Sequence, residues 1–475
     1  MTNQVVLTQA EKRALRRRVY SNDPGLSVVH PDAAGIDIGC NEHYVAVTPG
    51  RDSEPVKSFG CFTADLEQMA DWLHSCGVKS IVMQSTGFYW IPVYDLLEKH
   101  GFEVWLVNAR ETRNPPGRKS DVQESQWLLK LHTYGLLRPS FRPSEQIREV
   151  RTYWRTRGNY VRQATTAIQH MQKALTEMNL RLTTVLSDIS GVTGMRIIRA
   201  IVAGERDPHR LAAFRDKAVK ASVEQIVRSL EGTWKSDQLD ILELAVGDLD
   251  HIEAQLGKLD KKMAQAMAAA PSAPVQPLAP GGKKKKRNRK KASTYEPAFG
   301  LEAELKRLAG VDLTAIDGVH VMTVQTVFAE TGFDMSPWAN EHRFVSWLGL
   351  APCNDVSGGK VLRKRTKKVV SRLATALRIA ATTLLRSNTY LGAQYRRLRA
   401  RLGPPKGITA MAAKLARLIY RMLKYGHHYV DKGMEHYEQN YKAQQLRRLN
   451  ATAKANGFAL VPLHSTLNPL QNSTT

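Results

Sequence analysis

The residues with the clearest chemical potential form one string, Gly349-Leu350-Ala351-Pro352-Cys353-Asn354-Asp355-Val356-Ser357-Gly358-Gly359-Lys360-Val361-Leu362-Arg363-Lys364-Arg365. It sets a single serine on a Gly-Gly loop and follows it with cations. A hydroxyl is a poor nucleophile until a base takes its proton or a neighbour steadies its anion. Glycines let the backbone approach a phosphate, and Lys and Arg neutralise its oxygens. The string therefore points to Ser357 attacking a nucleic-acid phosphodiester, with Lys360, Arg363, Lys364 and Arg365 positioning the backbone. A plainer reading stands beside it: a polar Gly turn before a solvated basic helix.

Acidic residues make a second constellation. Asp37 falls at the centre of a hydrophobic strand pattern, where a buried carboxylate is costly unless it has a partner or a task. Asp121 and Glu124 lie one helical turn apart and project from one helix face. Three such carboxylates can hold divalent metal, and two ions about 4 Å apart activate the attacking oxygen and stabilise the leaving one. Oxygen ligands and a phosphate substrate favour Mg²⁺, or Mn²⁺ in its place. The competing reading makes Asp121 a helix N-cap and Glu124 a solvent-facing side chain.

The elements that must position these groups follow from the hydrophobic pattern. A basic extension, 1–32, precedes an α/β unit over 33–140. There, Ala34–Gly39 reads as a buried strand and His43–Thr48 as its hairpin partner. Val56–Phe62 reads as a third strand, Asp65–Cys76 as a helix and Ser80–Met83 as a fourth strand. A helix over Trp90–His100, a strand over Glu103–Val107 and a closing helix over Asp121–Tyr134 complete the unit. Three successive strands followed by αβαβα is the order of an RNase H-like sheet rather than a Rossmann sheet.

From 141 to 268 the pattern becomes helical. Ile147, Val150, Trp154, Arg157, Val161, Ala164, Ile168, Met171, Leu175, Met178 and Leu182 recur at alternating spacings of three and four, with only Arg157 breaking the apolar rule. Leu242, Ala245, Leu249, Ile252, Leu256, Leu259 and Met263 form a second seam. Both predict long helices in coiled-coil packing, against each other or a second subunit. Residues 269–300 are rich in Pro and Lys, and Lys283, Lys284, Lys285, Lys286 and Arg287 begin a cationic run that predicts a disordered phosphate-binding arm. Residues 301–440 read as a helical domain carrying Ser357, with a helix-hairpin-helix-like turn at Ile316–His320. Residues 441–475 read as a polar tail, frayed from about Leu449.

Composition agrees with a polyanionic partner. Lys and Arg total 69 against 44 Asp and Glu, a net charge of +25, and nucleic acid is the economical counterpart. No apolar stretch approaches the roughly 18 residues that span a bilayer. The first twenty residues carry Lys12, Arg13, Arg16, Arg17 and Arg18 without an apolar segment after them, unlike a secretory signal. Four cysteines without CxxC spacing predict reduced thiols in a cytoplasmic protein.

Four motifs occur in order: Gly35-Ile36-Asp37-Ile38-Gly39, Met83-Gln84-Ser85-Thr86-Gly87-Phe88-Tyr89-Trp90, Lys119-Ser120-Asp121-Val122-Gln123-Glu124-Ser125-Gln126-Trp127, and the Ser357 loop. Over about 33–140 and 305–430 the chain resembles the DEDD-type insertion-sequence transposases of the IS110 group, with its IS1111 branch. The resemblance implies a RuvC-like N-terminal domain and a separate C-terminal transposase domain with a catalytic serine. It further implies RNA-guided recombination, in which a structured non-coding RNA pairs with donor and target DNA and a recombinase tetramer joins them near the bacterial nucleoid. On this match Asp37 stands for the first acid, Asp121 for the third, and Glu124 where the fourth is usually Asp. Gln84 stands where the group has Glu in Glu-Ser-Thr-Gly, which predicts weaker metal binding and little or no strand cleavage. The change reads equally as natural drift or as an inactivating substitution.

Two rival readings remain open at this point. A metal-dependent junction nuclease would use water as nucleophile and leave Ser357 a loop residue. A non-catalytic nucleic-acid-binding scaffold gains weight from Gln84 and the basic insertion. Whether the assembly is a homodimer or homotetramer is not decided by the sequence.

Overall fold

A computed structural model describes residues 26–84, 87–109, 112, 120–274, 295–363, 365–367, 369–426 and 433–461. The chain divides into two units, Met1–Arg142 and Pro143–Thr475.

The first unit is a mixed five-stranded sheet flanked by helices. Strands β1 (Ala33–Ile38), β2 (Glu42–Val47) and β3 (Val56–Gly60) lead to α1 (Thr63–Ser75), then β4 (Ser80–Gln84), α2 (Trp90–Lys99), β5 (Glu103–Val107) and α3 (Asp121–Thr133). The strand order is β3-β2-β1-β4-β5. The β1–β2 and β2–β3 pairs are antiparallel, and β1–β4 and β4–β5 are parallel. This arrangement is consistent with an RNase H-like domain.

Strand alternation decides which face each residue serves. Ala34, Ile36, Val45, Val47, Ile81 and Met83 pack against Leu66, Met69 and Leu73 of α1 and Val93 and Leu97 of α2. The opposite face, with Ala33, Ala46, Val82 and Val107, takes Leu128 and Leu129 of α3. Each fully buried aliphatic side chain contributes roughly 2 kcal/mol, so both faces are covered and the sheet's C-terminal edge is left to chemistry.

The second unit is mostly helical. Helices α4 (Glu145–Glu177) and α9 (Ser236–Ala268) each run 33 residues, roughly 50 Å at the usual rise. They pack along each other and enclose a core with the short helices α5 (Leu182–Val185), α6 (Val192–Val202), α7 (Pro208–Ala212) and α8 (Val223–Ser229). The apolar seam reads on to Leu182, but α4 ends at Glu177. There Asn179 adopts a left-handed φ of 58°, and the Met178 carbonyl accepts the Thr233 amide at 2.7 Å.

Arg157, the apparent break in the seam, is 3 % exposed. Its Nε donates to Asp260 Oδ1 at 2.6 Å and its Nη1 to the Tyr295 carbonyl at 2.9 Å. Asp260 Oδ2 also accepts the Ala298 amide at 3.1 Å. The polar residue is thus the anchor that ties the two long helices to the chain entering the C-terminal helices. The cationic run, Lys283, Lys284, Lys285, Lys286 and Arg287, lies outside the described residues.

The remainder comprises α10 (Leu301–Ala309), α11 (Val321–Thr331), α12 (Glu341–Trp347), a hairpin of β6 (Asp355–Ser357) and β7 (Lys360–Arg363), α13 (Arg372–Thr383), α14 (Tyr390–Leu402), α15 (Pro404–Tyr425) and α16 (Gly433–Ala455). Helix α16 corrects the expectation of fraying from Leu449, since it continues to Ala455. It is held by Glu438, which pairs with Arg397, whose guanidinium lies 3.7 Å from the Tyr441 ring centroid. Among the described residues no helix is long and apolar enough to cross a membrane.

Candidate active site

The same alternation that buries Ile36 turns Gly35 and Asp37 toward α3. A β-carbon on Gly35 would lie 2.4 Å from the Leu129 nitrogen and the Ser125 carbonyl oxygen. Only glycine allows the helix backbone to sit this close to β1. Gln84 shares the parity of Val82 and falls one step beyond the last parallel β1–β4 pair, Ile36 with Met83. Asp37 and Gln84 therefore face the same side at neighbouring strand ends.

Helix α3 supplies the other two acids. Ser120 caps it, its hydroxyl accepting the Gln123 amide at 3.3 Å, and this places Asp121 and Glu124 in the first turn. The positive end of the helix dipole favours carboxylates there. Asp121 is exposed and Glu124 half-buried, and neither is the cap itself. Asp37 registers the convergence: its carboxyl is pushed up to about 6 by burial first, then by the charges of Glu124 and Asp121. Two anions facing a third make a site that a cation would relieve.

The donor set fits a hard divalent ion: carboxylate oxygens from three positions and a neutral carbonyl from Gln84. It is not a preformed cage, because among the described residues no three His, Cys, Asp or Glu side chains stand ready to hold a metal. With glutamine at position 84, the edge carries one negative charge fewer than a glutamate would give it, so the acids repel one another less and offer a cation less charge.

The hairpin register brings in two residues that motif reading missed. Tyr44 on β2 lies directly opposite Asp37, and its hydroxyl donates to Glu42 Oε1 at 3.0 Å. The Tyr44 hydroxyl is made less acidic by Glu42 and, more weakly, by the Asp121 charge, so it belongs to the same electronegative edge. Counting outward from the two-residue Cys40-Asn41 turn, which the Gly39 amide closes on the Glu42 carbonyl at 3.1 Å, pairs Asp37 with Tyr44. At the other end of β4, Ser80 Oγ and His132 Nε2 are 2.7 Å apart. Burial, and then His30, hold His132 down at about 4, and this buried pair serves the packing of α3.

Ser357 belongs to the second unit. The expected loop before a basic helix is instead a β-hairpin turned by Gly358 and Gly359, with φ of 54° and 77°. Consecutive left-handed glycines match the twist of a two-residue hairpin turn. At its base the Cys353 amide donates to the Arg365 carbonyl at 2.6 Å, and the Arg365 side chain pairs with Asp355 at 2.8 Å. Arg365 is therefore tied to the hairpin it follows. Ser357, Lys360 and Arg363 are exposed, as are Val356, Val361 and Leu362. Lys364 lies outside the described residues. Among the described residues Ser357 Oγ makes no hydrogen bond, which a substrate-free nucleophile can tolerate.

The structure thus brings Asp37, Gln84, Asp121 and Glu124 to one edge of one unit and displays Ser357, Lys360 and Arg363 on a projecting hairpin of the other. Two family models cover these two regions in the same order. One, an IS110-group DEDD transposase model described as "Transposase", matches residues 34–180. The other, described as "Transposase IS116/IS110/IS902 family", matches residues 312–396. No curated protein matches the chain. The first match spans the sheet, α3 and α4, and the second spans the hairpin with Ser357, so the two regions that carry the candidate residues are each similar to IS110-family transposases.

Proposed function

We propose that the protein recombines DNA by covalent catalysis, with Ser357 as nucleophile and the Asp37, Asp121 and Glu124 carboxylates acting on the same phosphodiester. The observation that carries this reading is the convergence of the three acids, registered in the raised Asp37. The Ser357 oxygen bonds to phosphorus as the bond to a deoxyribose oxygen breaks, which leaves a 5′- or 3′-phosphoserine link. The bond energy stays available for rejoining when a second deoxyribose hydroxyl displaces the serine. A divalent ion, Mg²⁺ or Mn²⁺, would be held by Asp37, Asp121 and Glu124 and would supply charge neutralisation at the phosphate. Lys360 and Arg363, with Lys364, position the backbone without reading sequence.

Sequence choice falls to a structured guide RNA that pairs with donor and target DNA, the protein contacting RNA shape and phosphates. The family resemblance and the net charge of +25 support this division. The family resemblance supports a homodimer or homotetramer and a reaction in the bacterial cytoplasm beside the nucleoid; the seams of α4 and α9 are taken up by each other within one chain.

The test is a denaturing gel of protein incubated with guide RNA, labelled DNA and Mg²⁺. Gln84→Glu should raise strand cleavage at least tenfold over this chain, and Ser357→Ala in that background should abolish the protein–DNA adduct. An adduct that survives Ser357→Ala removes the serine from the mechanism. A metal-only nuclease, favoured by the lack of a partner on Ser357 Oγ, predicts cleavage with no adduct in any variant.

A further inference from the structure

Helix α15 carries three cations on one face. Lys414, Arg417 and Arg421 follow at spacings of three and four, the period that stacks side chains along a helix. The face packs against α12, whose Glu341 accepts from Arg421 Nη2 at 2.8 Å and pairs with its Nε as well. Among the described residues Glu341 is the one carboxylate whose charge acts on Lys414. Its carboxyl is lowered mainly by Arg421, with smaller contributions from His342 and Arg417. Both hydrogen bonds of the pair go to Arg421, which leaves two cations over.

Those two are the anomaly. Lys414 and Arg417 are partly buried, and among the described residues neither closes an ion pair. The Arg417 Nε is buried with no hydrogen-bond partner. Lys414 is lowered by burial, then by Arg421 and Arg417, with Glu341 only partly opposing. A half-buried cation without a counter-ion costs stability. Crowded cations of this kind, one with an orphaned donor, suit an anionic ligand. In the chain, α12 precedes the Ser357 hairpin, with residues 348–354 between them.

We propose that Lys414, Arg417 and Arg421 form a docking site for a phosphate of a nucleic-acid backbone, with Glu341 holding Arg421 in place. Arg417 supplies a fork of donors and Lys414 a point charge, a pairing suited to a phosphodiester oxygen pair. The proposal rests on the reading that the chain binds nucleic acid, and it adds a site outside the hairpin and the acidic edge.

The experiment uses the full chain and two probes, a short labelled DNA duplex of arbitrary sequence and an RNA duplex of the same sequence. Binding is followed by anisotropy over a series of KCl concentrations. Lys414→Gln/Arg417→Gln should make the plot of log affinity against log salt shallower by about 1, the change for one lost phosphate contact. A shallower slope with DNA alone assigns the site to DNA, with RNA alone to the guide, and with both to either backbone. Lys414→Met is the second variant. It keeps the aliphatic stem, so it should leave the thermal midpoint equal or higher while reducing the slope. Unchanged slopes on both probes, with wild-type binding intact, overturn the site. Failure of the wild-type chain to bind either duplex overturns the nucleic-acid reading itself.

Discussion

Asp37 retains its proton further up the pH scale than an ordinary carboxyl, and the sign of the consequence follows. Its folded value of about 6 lies above the usual 3.8, so the fold favours the protonated form. The penalty is absent below pH 3.8, grows as pH rises toward 6 and is complete above it. Asp37→Asn, in EDTA, should therefore raise the thermal midpoint at pH 7.5 by about 2–4 °C, with the gain vanishing near pH 3.5. This corresponds to about 1 kcal/mol, because the carboxyl is only partly buried. Differential scanning calorimetry at the two pH values decides it, and an equal shift at both would remove the electrostatic account. Asp37, Asp121 and Glu124 were legible as candidate acids from their places in strand and helix patterns. Tyr44 was not, because its role comes from hairpin register and not from its residue type.

Elements were legible where periodicity was long and uniform. All five strands and the helices of the first unit fall within a few residues of their hydrophobic patterns, since each pattern is read by one packed face. The Ser357 segment was misread as a loop because three- and four-residue strands are too short to show alternation, and Gly358-Gly359 fits a loop and a tight turn equally. Arg157 shows the other limit. As a charged residue in an apolar seam it looked like a defect, and nothing local reveals Asp260 more than a hundred residues away. Removing one partner of a buried pair leaves an uncompensated charge, so Arg157→Met should cost about 3–5 kcal/mol. Adding Asp260→Leu should recover most of that loss. It will not recover all, because the Tyr295 carbonyl and Ala298 amide then lose their partners. Chemical denaturation of the three proteins tests this, and a double variant no more stable than Arg157→Met would contradict it.

At the scale of the molecule, each unit carries its own core. The first, ending at Arg142, covers both faces of its sheet with its own helices. Residues 1–142 expressed alone should melt in one cooperative transition with the far-UV spectrum of a mixed α/β protein. A broad, non-cooperative melt with strong dye binding would show that the unit needs the rest of the chain. The division also explains why function was only partly legible: the acids and the serine lie in separate units, and a one-dimensional reading cannot say how two units cooperate.

The tight seat of α3 on β1 has one more implication. The distance between the strand acid and the helix acids is set by a hydrogen atom where every other amino acid carries a methyl or more. Gly35→Ala would act as a spacer, lifting Asp121 and Glu124 away from Asp37 while leaving every ligand chemically intact. On the proposed reading such a protein would bind a divalent ion more weakly with every candidate ligand still present, a lesion that no inventory of reactive side chains would detect.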